Sequence, residues 1–136
     1  MEKDLVSVKR SYGRILLKNE DVLRDFYTLF LNSHPSIPPY FQNTNFKKQT
    51  SLLRDAINYS IMMAEKNALA IQRLQEISKS HSRSRLNILP KFYPHWKKTL
   101  LATLEKHDPE FSETLKKQWD KILSEACDFM ISGHET

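Results

Sequence analysis

The stretch DFYTLFLNSHPSIPPYF, residues 25–41, joins a helical pattern to a proline-stiffened corner. Its first half continues an apolar face with spacings of three and four residues, which predicts a helix over residues 21–33. The helix is expected to end at His34, because the residue before a proline is pushed out of the α region. The prolines that follow predict a tight corner, and a new helix then begins near residue 44.

The rest of the chain shows similar apolar spacing and few residues that break helices. Two glycines in 136 residues argue against a hairpin-rich sheet and against a glycine-rich phosphate loop. Five further helices are predicted, over about residues 4–18, 44–66, 70–81, 90–106 and 112–131. The sequence therefore predicts an all-α fold, with residues 1–136 forming a single domain.

The chain is basic, with a net charge of +5. Its paired basic residues lie in separate segments, whereas nucleic-acid binding requires such charges on one face. We therefore interpret them as solvated helix faces and expect no nucleic-acid partner. The sequence contains no long apolar run, signal peptide or lipidation motif, so we expect a cytoplasmic protein without membrane contact. The single cysteine, Cys127, excludes an internal disulfide and is expected to pack as a small hydrophobic residue.

Three of the predicted apolar stripes each carry one polar residue: Tyr27, Gln49 and His81. Burial of such a group without a partner costs about 1–3 kcal/mol, so each needs a hydrogen bond, a water or a ligand. One such exception is common in a helical core. Three of them on three separate helices predict a shared pocket.

His81 has two interpretations. A lone histidine on an apolar face is more often a hydrogen-bonded core residue than a metal ligand. The other histidines show no pair spacing suited to zinc, and no cysteine assists. If His81 binds a metal, the metal should arrive with most of its coordination already supplied, as iron does in haem.

The order of these motifs resembles the bacterial single-domain globins and the haem domain of flavohaemoglobins. Residues 25–41 match the family's Phe-Tyr pair, its proline corner and its terminal phenylalanine. The segments KKQTSLL (47–53), SKSHSRSRLNILPKFYP (78–94) and KQWDKILSEACDFMI (117–131) follow in the family's order. The resemblance implies a globin fold, with six to eight helices around a pocket for haem b.

By this resemblance, His81 is the proximal ligand of the iron and Tyr93 is its hydrogen-bonding neighbour. A glutamate sometimes partners that tyrosine, and Glu125 and Glu135 are the candidates in this chain. The family also often has seven residues from its histidine to a proline, whereas here the interval from His81 to Pro90 is nine.

Two arginines lie within that longer interval. Arg83 and Arg85 are candidates to pair with the haem propionates, and solvent-exposed loop charges are an equally good interpretation. On the other side of the haem, the resemblance places Tyr27 and Gln49 as hydrogen-bond donors that act on the bound ligand. The residues that pack on the haem are then Phe41 and Leu53.

The resemblance implies a globin that binds O₂, NO and CO and detoxifies NO with O₂, using electrons from a separate reductase. No reductase segment follows residue 136, so the electron supply is expected from another protein. Weak peroxidase activity also stays open. The alternatives are a gas or redox sensor or carrier that acts through a partner protein, and a haem-free helical module. Homodimers are common among such globins, so a homodimer is a further state to consider.

Overall fold

The computed structural model describes residues 2–17 and 21–135, and the regular structure of these residues is helical without a strand. The α-helices are α1 Glu2–Ser11, α2 Asp21–Leu31, α3 Phe46–Ala64, α4 Ala68–His81, α5 Tyr93–His107 and α6 Glu113–Ser132. Three short turns supplement them: a π-helical turn at Tyr12–Leu16 and 3₁₀ turns at Pro38–Phe41 and Pro90–Phe92. The predicted all-α class is therefore confirmed, with six α-helices in the described part of the chain.

The helix boundaries depart from the prediction at two places. The first helix was expected over residues 4–18, but α1 ends at Ser11 and the chain continues as a π-helical turn. Lys18, the predicted last residue of that helix, lies outside the described residues. The segment predicted to begin at Pro90 starts as a 3₁₀ turn, and α5 begins only at Tyr93. Pro94 then lies in the first turn of α5, where its missing N–H costs no hydrogen bond.

Side-chain caps set the start of three helices. Asn45, Asn67 and Ser112 precede α3, α4 and α6, and each accepts a hydrogen bond from the backbone N–H three residues later. Such a bond satisfies one of the four N–H groups that a helix start leaves without a partner. These caps fix where α3 and α4 begin, and α3 and α4 form two walls of the site described below.

The core consists of two groups of buried side chains. The larger group lies among α1, α2, α3, α5 and α6, with Trp119 fully buried. The smaller group, between α4, α5 and α6, comprises Leu74, Tyr93, Cys127 and Met130. Helix α3 packs on α4, α2 packs on α5, and α5 packs on α6. The space between the two groups is the cavity that holds the candidate site.

A buried carboxylate ties the first helix to the corner between α5 and α6. Asp108 accepts two hydrogen bonds from the Arg14 guanidinium, at 2.8 and 2.7 Å, and one from the Ser11 hydroxyl at 2.6 Å. Trp119 Nε1–H in turn donates to Ser11 Oγ at 3.0 Å. Burial alone would raise the pKa of Asp108, but its bonds to Arg14, Ser11 and the Glu110 N–H together lower it below the ordinary 3.8.

We expect Asp108→Asn to lower the free energy of unfolding at pH 7 by about 1.5–3 kcal/mol, as for a hydrogen bond to a charged group. A carboxyl whose pKa is lowered by folding loses its stabilising contribution as the pH falls through the folded value. The difference between wild type and variant should therefore shrink below about pH 4 in urea titrations. Glu110→Gln is the control, because the Glu110 side chain is 69% exposed and should change stability by less than about 0.5 kcal/mol. A constant difference down to pH 2 would contradict this account.

Candidate functional site

A cavity of about 690 Å³ lies between α2, α3, α4, α5 and α6. Most of its lining is apolar or aromatic. Tyr40, Leu52 and Leu86 line it and are 39%, 51% and 61% exposed, so they mark its mouth at the surface. Volume and lining are those of a site for a mainly apolar ligand oriented by a few polar groups.

One wall of the cavity carries a pair of hydrogen-bonding side chains. Tyr27, on α2, is 5% exposed, and its hydroxyl oxygen accepts a hydrogen bond of 3.1 Å from Gln49 Nε2–H on α3. Burial raises the pKa of Tyr27 to about 12, against a smaller opposing effect of the bond from Gln49. Tyr27 therefore keeps its proton at neutral pH. Because its oxygen accepts from Gln49, its own hydroxyl hydrogen is available to a ligand in the cavity.

Aromatic rings hold Tyr27 in place. The rings of Phe41 and Phe46 meet it edge-on, with centroids 5.7 and 5.5 Å away, and the ring of Phe26 meets it at 5.0 Å. Leu53 is buried on the same wall, one helical turn after Gln49. These apolar contacts leave the Tyr27–Gln49 pair as a polar spot in an otherwise apolar wall.

A second part of the cavity wall carries an imidazole. His81 is the last residue of α4, and its Nδ1 lies 3.2 Å from the hydroxyl oxygen of Tyr93 on α5. Burial lowers the pKa of His81, so the ring is neutral at neutral pH. Burial also raises the pKa of Tyr93, and the charge of Cys127 acts in the same direction. Since Tyr93 engages Nδ1, Nε2 is the ring nitrogen left for a ligand.

The structure brings together every residue that the sequence placed in the site. The side chains that line this one cavity include Tyr27, Phe41, Gln49, Leu53, His81 and Tyr93. What these six residues do chemically stays a prediction.

Of the two interpretations of Arg83 and Arg85, the positions of these residues favour exposed loop charges. Arg83 and Arg85 do not line the cavity: Arg83 pairs with Glu135 at 3.0 Å, and Arg85 is exposed. The cation that does line the cavity is Arg73, on α4. Glu135 is therefore committed to Arg83 and not to Tyr93, and Glu125 is exposed on α6.

Sequence reasoning missed several lining residues. Tyr59, Trp96 and Met130 line the cavity, and Phe46, the first residue of α3, packs on Tyr27. The helical spacing of Met130 signalled burial, but spacing alone does not separate a residue that faces a cavity from one that faces the core.

The donor set does not suit a bare metal ion. Over residues 2–17 and 21–135, no group of three or more His, Cys, Asp or Glu side chains is placed to hold one. Structural and catalytic zinc sites need three or four protein ligands, whereas this cavity offers one imidazole. A single neutral imidazole suits a metal whose other ligands come from a large planar group.

Comparison with known proteins identifies the family. The sequence profile named Globin matches residues 24–130. The chain belongs to the globin family. A crystal structure of a Pseudomonas aeruginosa protein, described as structurally highly homologous to a human haemoglobin, superposes on this globin with a TM-score of 0.91. The two chains are 28% identical, and the match covers 98% of this chain and 99% of the other. No curated protein sequence matches significantly.

These matches confirm the predicted globin fold, and membership of the family implies haem binding and the binding of diatomic gases such as O₂. The more specific likeness to the haem domain of flavohaemoglobins stays a prediction. Among the helices of the described part of this globin, none has the length and apolar character needed to cross a membrane.

Cys127 lines the cavity behind His81, and burial raises the pKa of its thiol to about 12. We therefore expect almost no thiolate at pH 8 and no reaction of the native protein with a disulfide reagent over minutes. Unfolding in urea should release one reactive thiol per chain. Ser132→Cys, which places a thiol at an exposed position at the end of α6, is the positive control and should react at once. Rapid labelling of the native wild type would contradict the buried position.

Proposed function

We propose that this globin binds haem b in the 690 Å³ cavity, with His81 Nε2 as the protein ligand of the iron. The observation that carries the proposal is the neutral imidazole of His81 in the lining of the same cavity as the hydrogen-bonded pair of Tyr27 and Gln49. A single cysteine cannot form the two-thioether CxxCH attachment of c-type haem, which favours the non-covalent haem b.

Haem, when bound, supplies an iron with one open position for a diatomic ligand. The polar pair then distinguishes ligands by charge. Tyr27 would donate its hydroxyl hydrogen to a bound ligand that carries partial negative charge. Gln49 holds the Tyr27 oxygen in place through its own hydrogen bond. Such a bond contributes about 1.5–3 kcal/mol with a charged acceptor and far less with the nearly non-polar CO.

The apolar residues of the same wall exclude water from this position. Phe41, Phe46 and Leu53 surround the polar pair, and none of them offers a hydrogen bond that would hold water there. A dry, apolar wall also strengthens the single bond that Tyr27 makes, because the local dielectric is low.

The reaction proposed for this globin is the detoxification of NO with O₂. The net change is NO + O₂ + e⁻ → NO₃⁻, and a separate reductase supplies the electron. Tyr27 and Gln49 retain O₂ long enough for NO to arrive, and the apolar lining gives NO a path that requires no hydrogen bonds. The support for this proposal is the donor pair, which favours tight O₂ binding over rapid release.

The proposed iron ligand is tested by the visible spectrum of the protein reconstituted with haem. We expect a sharp Soret band that shifts on reduction and again on addition of CO, and that is lost in His81→Ala. His107→Ala is the control, because His107 pairs with Asp25 and does not line the cavity. A broad band like that of free haem, the same in wild type and variant, would reject the haem site and favour the haem-free module.

The role of the polar pair is tested by O₂ dissociation in stopped flow. Tyr27→Phe should speed the release of O₂ by about 10- to 100-fold, from the loss of about 1.5–3 kcal/mol, with a much smaller change for CO. Gln49→Leu should speed the release of O₂ by a smaller factor, because Gln49 acts on the ligand through its hydrogen bond to Tyr27. Tyr12→Phe is the matched control, since Tyr12 is a buried tyrosine of the main core that does not line the cavity. An unchanged O₂ off-rate in Tyr27→Phe would remove this tyrosine from the mechanism.

A further inference from the structure

The loop after His81, residues 82–89, folds back onto the end of α4. The backbone N–H of Ile88 donates to the His81 carbonyl at 3.0 Å, and that of Leu86 donates to the Ser80 carbonyl at 3.1 Å. The Asn87 N–H reaches the Ser82 carbonyl at 2.9 Å, and Asn87 has a left-handed φ of 53°. Asparagine is one of the few residues that adopt this region at low cost. The loop thereby satisfies carbonyls that the helix end would leave without partners.

Asn87 is also held from two distant parts of the chain. Its backbone carbonyl accepts a hydrogen bond of 3.2 Å from the Tyr40 hydroxyl, in the 3₁₀ turn at the mouth of the cavity. Its side-chain oxygen lies 2.9 Å from His134 Nε2, just beyond α6. Because a carbonyl oxygen only accepts, His134 Nε2 carries the hydrogen in this contact. His134 is 7% exposed and Asn87 is exposed, so this bond is partly buried.

A second tie joins the same loop to the end of the chain. The backbone N–H of Arg83 donates to the His134 carbonyl at 2.7 Å, and its guanidinium pairs with Glu135 at 3.0 Å. Both side chains of the ion pair are largely exposed, so the pair itself adds little. Arg83 therefore stabilises the loop mainly through its backbone hydrogen bond to His134.

We propose that Tyr40, Asn87 and His134 form a clamp that positions His81 against the haem iron. Asn87 is the neighbour of Ile88, whose N–H holds the His81 carbonyl, so the clamp acts on the backbone of the ligand residue. The bond to Tyr93 orients the His81 ring. The hydrogen bonds of the loop hold the backbone at the end of α4. The three clamp residues are positioning residues in this sense. The inference rests on the proposed haem site.

The clamp also places a side chain at the mouth of the cavity. Leu86, immediately before Asn87, lines the cavity although it is largely exposed. Tyr40 lines the same mouth, and its hydroxyl bonds to the carbonyl of Asn87, next to Leu86. Loosening the clamp should therefore both move the iron ligand and weaken the closure of the pocket around the haem edge.

The experiment uses the full-length, haem-loaded protein and two variants that each remove one donor, Tyr40→Phe and His134→Leu. The readouts are the iron–histidine stretching band of the ferrous protein in resonance Raman spectra and the rate of haem transfer to excess apomyoglobin. We expect the band to shift or broaden and the transfer to become up to about tenfold faster. His134→Gln, which keeps an N–H near the position of Nε2, should restore both readouts.

Glu65→Gln is the matched control. It removes another tie between distant segments, the 2.6 Å pair of Lys9 and Glu65, at a site outside the cavity wall. It should leave both readouts unchanged. If His134→Leu does not fold, Tyr40→Phe alone tests the clamp. This variant removes only one oxygen from a half-exposed ring and is therefore expected to fold.

The outcomes separate the two proposals. A wild-type band unchanged in Tyr40→Phe and His134→Leu would overturn the clamp, even if both variants melt at lower temperature, because they would then affect stability alone. A wild type that shows no iron–histidine band would instead reject the proposed haem site. A shift in both Tyr40→Phe and His134→Leu, together with a wild-type band in His134→Gln, would establish the clamp.

Discussion

A buried neutral imidazole needs a partner for each of its two nitrogens, and the arrangement around His81 follows from that need. Tyr93 takes one nitrogen at 3.2 Å, and the other is left for the cavity. Burial lowers the pKa of His81, so the ring keeps the lone pair that a metal requires. Helix α4 ends at His81, and α5 begins at Tyr93, whose hydroxyl meets the imidazole. The end of one helix and the start of another therefore meet at this contact.

The wall that carries Tyr27 must also provide a hydrogen-bond partner for a buried polar group, in this case a hydroxyl. A buried hydroxyl is costly unless it is hydrogen-bonded, and Gln49 provides the bond to Tyr27 without removing its hydrogen. The lining of the cavity thus presents both a lone pair and a hydrogen-bond donor. A metal cofactor held there would receive a base from His81, and its ligand would receive a hydrogen bond from Tyr27. Neither wall alone distinguishes this site from an ordinary polar exception in a core.

The sequence could predict these walls because helical spacing reports which residues share a face. Tyr27, Gln49 and His81 broke apolar stripes on three helices, and that inconsistency indicated a pocket. Helical spacing does not predict which side chains share a face where the backbone is not helical. The loop that follows His81 has no period, so its arginines could not be assigned to a face, and both lie away from the cavity. The π-helical turn after α1 was missed for the same kind of reason, since its residues are compatible with an α-helix.

The loop after His81 shows why a long connection at such a place needs ties from elsewhere. Extra residues between His81 and the next helix add conformations that must be lost when the loop takes up its folded position. Asn87 reduces the number of these conformations by accepting two hydrogen bonds, one at its backbone carbonyl from Tyr40 and one at its side chain from His134. Each donor is 47 residues away along the chain, one on either side. One of these donors belongs to the turn at the mouth and the other to the end of α6. The loop therefore has a defined position only when the two outer edges of the cavity are in place, and the position of His81 depends on the whole fold rather than on α4 alone.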